Sequence, residues 1–278
     1  MIFLALAICS SAMVSIIMRL STNRVTGNMS MLAVNYITCL SIAAGLAGVG
    51  DLFPAVEGLG RAMGMGLVSG FLYLAGFVLL QYNVKKNGVV LSATFMKLGL
   101  LVPITLSVLW FGERPTYAQT AGFLLAVGAI LLINWRRGGT KGTMSWSLPL
   151  LLLAGGSGDA MSKIFQQYGH PDLADNYLFY NFLVAFLLCS VLVIKKGERP
   201  GKNELFFGCL IGIPNFFTAR FLLWAVERLN AVIVYPTFSV GTLLAVTMAG
   251  VLVFHERLER RQWIAVGGIL VALVLLNL

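Results

Sequence analysis

The stretch NGVVLSATFMKLGLLVPITLSVLWFGERPTYAQTAGFLLAVGAILLIN, Asn87–Asn134, returns as NAVIVYPTFSVGTLLAVTMAGVLVFHERLERRQWIAVGGILVALVLLN, Asn230–Asn277. Aligned without a gap, fifteen of the forty-eight positions are identical. Coincident leucines and valines are expected in so apolar a chain. Coincident Asn87/Asn230, Thr94/Thr237, Phe95/Phe238, Phe111/Phe254, Glu113-Arg114/Glu256-Arg257, Gln119/Gln262 and Asn134/Asn277 are not. Each copy is two apolar runs joined by a charged hinge. A duplicated unit of this kind is a common way to build a transporter with its site between the halves.

Working outward, the whole chain reads the same way. It is 58% hydrophobic and 11% charged, with a mean hydropathy of +0.87. A water-soluble domain of 278 residues cannot hide that much apolar surface, so lipid is its solvent. Ten apolar runs follow one another: Met1–Leu20, Met29–Gly50, Ala62–Val84, Gly88–Gly112, Thr116–Trp135, Ser147–Tyr168, Asn176–Ile194, Leu205–Val226, Ala231–Phe254 and Gln262–Leu278. Each is long enough, or nearly so, to cross about 30 Å at 1.5 Å per residue. They lack the two-residue alternation of barrel strands. The first run has no basic start and no small-residue cleavage site before Arg19, so it reads as a spanning helix rather than a secretory signal.

The expectation is an all-α integral membrane protein of ten transmembrane helices in two inverted five-helix repeats. Residues 1–135 form the first, 136–146 the linker and 147–278 the second. Gly66-xxx-Gly70 matches Gly208-xxx-Gly212, and Asn35-Tyr36 matches Tyr180-Asn181. An odd helix number per half turns the second half upside down relative to the first.

The net charge of +9 belongs to the loops, not to a nucleic-acid surface. Fourteen of twenty Lys and Arg sit at the odd-numbered connections and three at the even ones. The positive-inside bias then puts the odd loops in the cytoplasm and both termini outside. Cys9, Cys39, Cys189 and Cys209 sit on four different helices with no metal-like spacing, and read as small apolar core residues. No metal and no cofactor is expected.

Phe111-Gly112-Glu113-Arg114 with Gln119 and Gly122, and Phe254-His255-Glu256-Arg257 with Gln262 and Gly267-Gly268, resemble the drug/metabolite transporter superfamily, in its ten-helix EamA-like branch. The resemblance covers nearly the whole chain. It implies the ten-helix fold. Helices 5 and 10 are nearly free of polar side chains between their ends, so the cavity is expected to be lined by helices 1–4 and 6–9, in agreement with that family, and the expected location is a bacterial cytoplasmic (inner) membrane. It specifies no substrate. Members of that family are usually placed with both ends in the cytoplasm, where the charge count here argues the reverse.

Four charges lie inside helices: Lys97, Asp159, Lys163 and Arg220. An ionisable group in hydrocarbon costs several kcal/mol, so each needs a partner, water or a route to the interface. Asp159 and Lys163 are four apart with the acid first, the favourable order for an ion pair on one face. That pair reads either as self-neutralising structure or as a proton-coupling site centred on Asp159. Lys97 and Arg220 have no acid within a turn, and read as anchors for an anionic substrate group. The bland alternatives are a Lys97–Asp159 bridge across helices, and an Arg220–Glu227 pair or snorkelling. Asn35, Tyr36, Tyr180, Asn181, Asn215, Trp224, Tyr235 and Thr237 complete the expected substrate lining. Pro103, Pro214 and Pro236 interrupt helices 4, 8 and 9 as kinks or hinges. Glu113 and Glu256 are read as hinge residues that bind loop amides or the adjacent arginine.

These readings converge on a secondary transporter, as monomer or homodimer, for a small metabolite with an anionic or zwitterionic group, such as an amino acid or organic acid, with protons as the candidate coupling ion. Three inward cations to one inward anion favour that over the runner-up, an exporter of cationic or aromatic drugs. No GxxxxGK[ST] loop supplies ATP. Gly155-Gly156-Ser157-Gly158 fits the GxSG of an intramembrane serine protease, but His170 and His255, the bases it would need, fall at loop ends. Paired halves with charges at mid-depth fit alternating access better than a continuous channel.

Overall fold

The computed structural model describes residues 1–22, 24–87, 92, 95–134, 146–253, 255 and 260–278. These are mostly helical, without a strand among them. In order the helices are α1 (Ile2–Ser21), α2 (Asn28–Ala47), α3 (Leu59–Asn87), α4 (Leu101–Leu109, reached through a 3-10 turn at Leu98–Leu100), α5 (Tyr117–Asn134), α6 (Ser147–Tyr168), α7 (Ala174–Lys196), α8 (Lys202–Arg228), α9 (Ala231–Leu252) and α10 (Arg260–Leu276). Six of them, α1, α2, α3, α7 (taken from Pro171), α8 and α9, are long and apolar enough to cross a membrane. Phe95–Leu109, Tyr117–Leu132 and Trp263–Leu276 are shorter apolar helices. The third helix is thus longer than its apolar run, and the fourth is broken by the 3-10 turn. Thr94, Glu256 and linker residues 136–145 lie outside the described residues.

The chain forms two compact units, Met1–Leu74 with Ile164–Glu227, and Ala75–Lys163 with Arg228–Leu278. Each draws on both halves of the sequence, and the boundaries fall inside α3 and α6 and at the end of α8.

In the first unit, two matched glycine pairs do the same job. A Cβ on Gly208 would sit 2.5 Å from Val34 Cβ, and one on Gly212 2.6 Å from Thr38 Cβ, so α8 lies backbone-close on α2. A Cβ on Gly66 would sit 2.7 Å from the Tyr177 carbonyl oxygen, and one on Gly70 would collide with that of Asn181, so α3 lies as close on α7. Lipid supplies no hydrophobic drive between helices, and small residues let dispersion do the work. Around these crossings Tyr36, Tyr177, Tyr180, Phe182 and Phe216 are fully buried. Ile17, Met31, Phe207 and Ile211 form a second apolar cluster.

Two carboxylates lock the loop before α2. Gly197 takes a left-handed φ of 64°, and Gly197 N–H and Glu198 N–H bond back to the Ile194 and Val193 carbonyls. This Schellman turn aims Glu198 at the start of α2, where its Oε2 accepts from the Met29 and Ser30 N–H groups at 3.0 Å. Glu204 Oε1 accepts from Thr26 N–H at 2.9 Å and Gly27 N–H at 3.2 Å, and Oε2 from Gly201 N–H at 3.1 Å. A carboxylate on the positive end of a helix satisfies otherwise orphaned donors.

In the second unit, Gly99 and Gly156 bring α6 against the turn before α4, and Gly122 seats α5 on Ala272 and Leu275 of α10. A Cβ on Gly76 would meet Gly155 Cα at 3.4 Å, an ordinary contact. Of the glycines before Asp159, Gly156 therefore serves helix packing, whereas a Cβ on Gly155 would meet nothing within 4 Å. Asn83 ties the end of α3 to the start of α6, donating to the Ser147 carbonyl at 3.0 Å and accepting from its hydroxyl at 2.7 Å. Thr116 and Gln119 bond reciprocally at 3.1 Å each way. That capping box gives the repeated glutamine a structural role in its first copy. Cys39 and Cys189 are buried, but Cys9 and Cys209 are exposed. The expectation of four core cysteines is corrected for these two, which sit on outward helix faces.

Candidate functional site

The inward charges are not paired as helical spacing suggests. Lys163 Nζ lies 2.8 Å from Glu113 Oε1, with side chains only 8% and 11% exposed. The predicted i,i+4 pair with Asp159 therefore gives way to a tertiary one. Glu113 follows the end of α4, and its two oxygens also accept from the Ala231 and Val232 N–H groups at 3.2 Å each. It caps the first turn of α9 from outside that helix. The loop amides expected for Glu113 are those of a helix N-terminus; its counterpart Glu256 lies outside the described residues.

Asp159 instead faces the charge of Lys97, which precedes the 3-10 turn before α4. Its backbone carbonyl accepts from the Tyr235 hydroxyl at 2.8 Å. The second unit thus carries an alternating ladder, with Lys97 and Glu113 flanking α4 and Asp159 and Lys163 one turn apart on α6. Thr237 Oγ1, Thr242 Oγ1 and Ser107 Oγ are buried there without a hydrogen-bond partner among the described residues. Pro103 and Pro236 are buried in α4 and α9.

In the first unit Arg220 Nη2 lies 3.0 Å from Asp175 Oδ2, with side chains 14% and 24% exposed. The partner is on α7, so the same-face pairing with Glu227 is corrected. Only part of the guanidinium is used. Its Nε is buried with no hydrogen-bond partner among the described residues, although Nε–H points along the same edge as Nη2. The guanidinium carbon stands 4.8 Å from the Trp224 ring centroid and 6.0 Å from that of Phe216. Trp224 meets Phe3 at 5.1 Å and Phe221 at 6.0 Å, and Phe217 stacks on Phe221 at 5.5 Å. Beyond Trp224 a cavity of about 50 Å³ is lined by Gln166, Ala174, Leu223 and Glu227 among others. An open cleft of about 730 Å³ lies along Glu57, Arg61, Tyr168 and His170.

The other predicted lining residues of this unit are largely bonded within the fold. Asn215 donates to Asn35 Oδ1 at 3.1 Å and receives the Tyr73 hydroxyl at 3.5 Å. Tyr180 donates to the Leu52 carbonyl at 2.8 Å. Tyr36 is buried with its ring edge-on to Tyr73. Asn181 Oδ1 is buried and without a hydrogen-bond partner among the described residues.

Sequence reasoning missed Asp175, Glu198 and Glu204. Each sits at a helix or run end, where a carboxylate reads as a solvated charge. Asp175 fell one residue outside its apolar run.

These features define a multi-pass helical membrane protein whose inward charges are paired across helices. The chain belongs to the EamA-like transporter family, which it matches over residues 1–135 and 148–278. That family belongs to the drug/metabolite transporter superfamily. A relative of undetermined function from Haemophilus influenzae is 25% identical over 277 residues, spanning 95% of this chain and 93% of the relative. One solved crystal structure has the same fold, with a TM-score of 0.75 at 16% identity over 99% of this chain and 96% of its own.

Proposed function

We propose that this protein is a secondary transporter that carries a small metabolite bearing a carboxylate or similar anionic group by alternating access. The proposed architecture is ten spans in two inverted halves, residues 1–135 and 147–278. The observation that carries the substrate reading is Arg220, a largely buried cation whose Nε has no hydrogen-bond partner among the described residues. A guanidinium is the group best suited to fixing a carboxylate. Membership of a transporter family supports the wider reading.

Asp159 is proposed as the coupling carboxylate, with Lys97 neutralising it while it is ionised. Both belong to one unit, and their charges attract. Lys163, engaged with Glu113, leaves the coupling role to that pair.

The deciding experiment reconstitutes the protein in liposomes. Thermal-shift screening of carboxylate-bearing metabolites at two pH values selects the solute for uptake. Arg220→Met keeps the apolar stem and should weaken binding by about 1.5–3 kcal/mol, the size of a charge-assisted hydrogen bond. Asp159→Asn should abolish proton-driven accumulation while leaving exchange at equal pH. Wild-type affinity in Arg220→Met rejects the substrate reading, and proton-driven accumulation in Asp159→Asn rejects the coupling reading.

A further inference from the structure

Arg220 does not stand alone, and its partner constrains what it can bind. Asp175 Oδ2 takes Nη2 at 3.0 Å, while Nε beside it is buried and has no hydrogen-bond partner among the described residues. The ion pair is therefore one-armed where a fork-to-fork pair would close it. On the other side, Asp175 Oδ1 makes no hydrogen bond among the described residues. A buried donor and the second oxygen of a part-exposed carboxylate, neither with a hydrogen-bond partner among the described residues, thus flank one 3.0 Å contact. Aromatic rings flank the guanidinium: Trp224 lies against it, with Phe3, Phe217 and Phe221 continuing the apolar surface.

Charge balance selects among ligands. A simple anion on Nε would set a second carboxylate beside Asp175 on one guanidinium, where the two side chains are 14% and 24% exposed. A simple cation would draw Asp175 away and strand Arg220. A zwitterion whose ammonium and carboxylate lie about one ion-pair length apart leaves the site neutral. It completes both arms, carboxylate to Nε and ammonium to Oδ1. Resting on the carboxylate reading above, we propose that Asp175 and Arg220 together bind the ammonium and carboxylate of an α-amino acid, with its apolar side chain against Trp224 and the adjoining phenylalanines. Asp175 is then the residue that demands the amine.

The test uses the full-length protein in detergent and needs no variant for its first arm. Binding of phenylalanine, leucine and glycine is compared with that of 3-phenylpropionate, which lacks the amine, and phenethylamine, which lacks the carboxylate. Phenylalanine should bind at least tenfold more tightly than either truncated probe, and more tightly than glycine. Asp175→Asn should cut the preference for phenylalanine over 3-phenylpropionate tenfold or more, and Trp224→Leu should narrow the gap between phenylalanine and glycine. The zwitterion proposal is overturned if 3-phenylpropionate equals phenylalanine in the wild type, if no amino acid binds, or if a folded Asp175→Asn keeps its discrimination. In the first of these cases, loss of 3-phenylpropionate binding in Arg220→Met would leave the carboxylate reading standing. Unchanged 3-phenylpropionate binding in that variant would remove both.

Discussion

Replacing Glu113 by Gln keeps the side chain's size and removes its charge. In the native protein the carboxylate faces Lys163 at 2.8 Å and accepts two backbone N–H groups of α9 at 3.2 Å. An exposed ion pair would contribute about 0–1 kcal/mol, but these side chains are 11% and 8% exposed. Stranding one member of a buried pair costs about 3–5 kcal/mol. Gln retains one acceptor for the α9 amides, so only part of a cap worth about 1 kcal/mol is lost. Lys163 also stands 6.0 Å from the Phe111 ring centroid, which keeps some favourable field around its charge and points to the lower end of the range. The expected destabilisation is about 3 kcal/mol. Lys163→Met alone leaves Glu113 its two amide donors, so it should cost less. The double variant should recover about 2 kcal/mol relative to additivity, because no buried charge is left unpaired. Equilibrium unfolding in mixed micelles, run as a double-mutant cycle, measures both numbers. A Glu113→Gln loss below about 0.5 kcal/mol, or a cycle with no coupling, would refute the claim that this pair is dry and cooperative.

Four further outcomes follow from the packing and the loops. Gly212→Leu should cost at least about 1–3 kcal/mol, the usual penalty of overpacking, because even its Cβ would fall 2.6 Å from Thr38 Cβ and 2.9 Å from the Asn35 carbonyl oxygen; an unchanged melting temperature would contradict the α2–α8 crossing. Glu204→Ala removes the acceptor for Thr26, Gly27 and Gly201 N–H and should cost about 2 kcal/mol, read as a lower melting temperature. A small maleimide in detergent should label Cys9 and Cys209 but not Cys39 or Cys189 until the protein is unfolded; rapid labelling of Cys39 would contradict its burial. A reporter that fluoresces only in the cytoplasm should be dark when fused after Leu278 and bright within Lys195–Lys202; the opposite pattern would overturn the orientation drawn from charge bias.

What the sequence made legible is what the backbone and the solvent dictate. Lipid leaves a spanning segment no option but to satisfy its own amides, so apolar runs located every helix to within three residues except α4, which covers only Leu101–Leu109 of the run Gly88–Gly112. The Gly66/Gly70 and Gly208/Gly212 pairs were legible as a match between the repeats, and the structure gives them their role. A missing side chain permits close backbone approach whatever the partner, and both pairs lie at such crossings. The charges behaved differently, because their partners are chosen in three dimensions. The i,i+4 rule reports only neighbours on one helix, where a pair is worth a few tenths of a kcal/mol. Lys163 found Glu113, 50 positions away, and Arg220 found Asp175, 45 positions away. A carboxylate at a helix end meets two demands at once, the orphaned N–H groups of a first turn and a stray cation, and the two together outweigh a same-helix contact. Glu113 is where both demands coincide. The repeat marked that residue through its match to Glu256, and only the start of α9 lying beside it shows why a glutamate stands there.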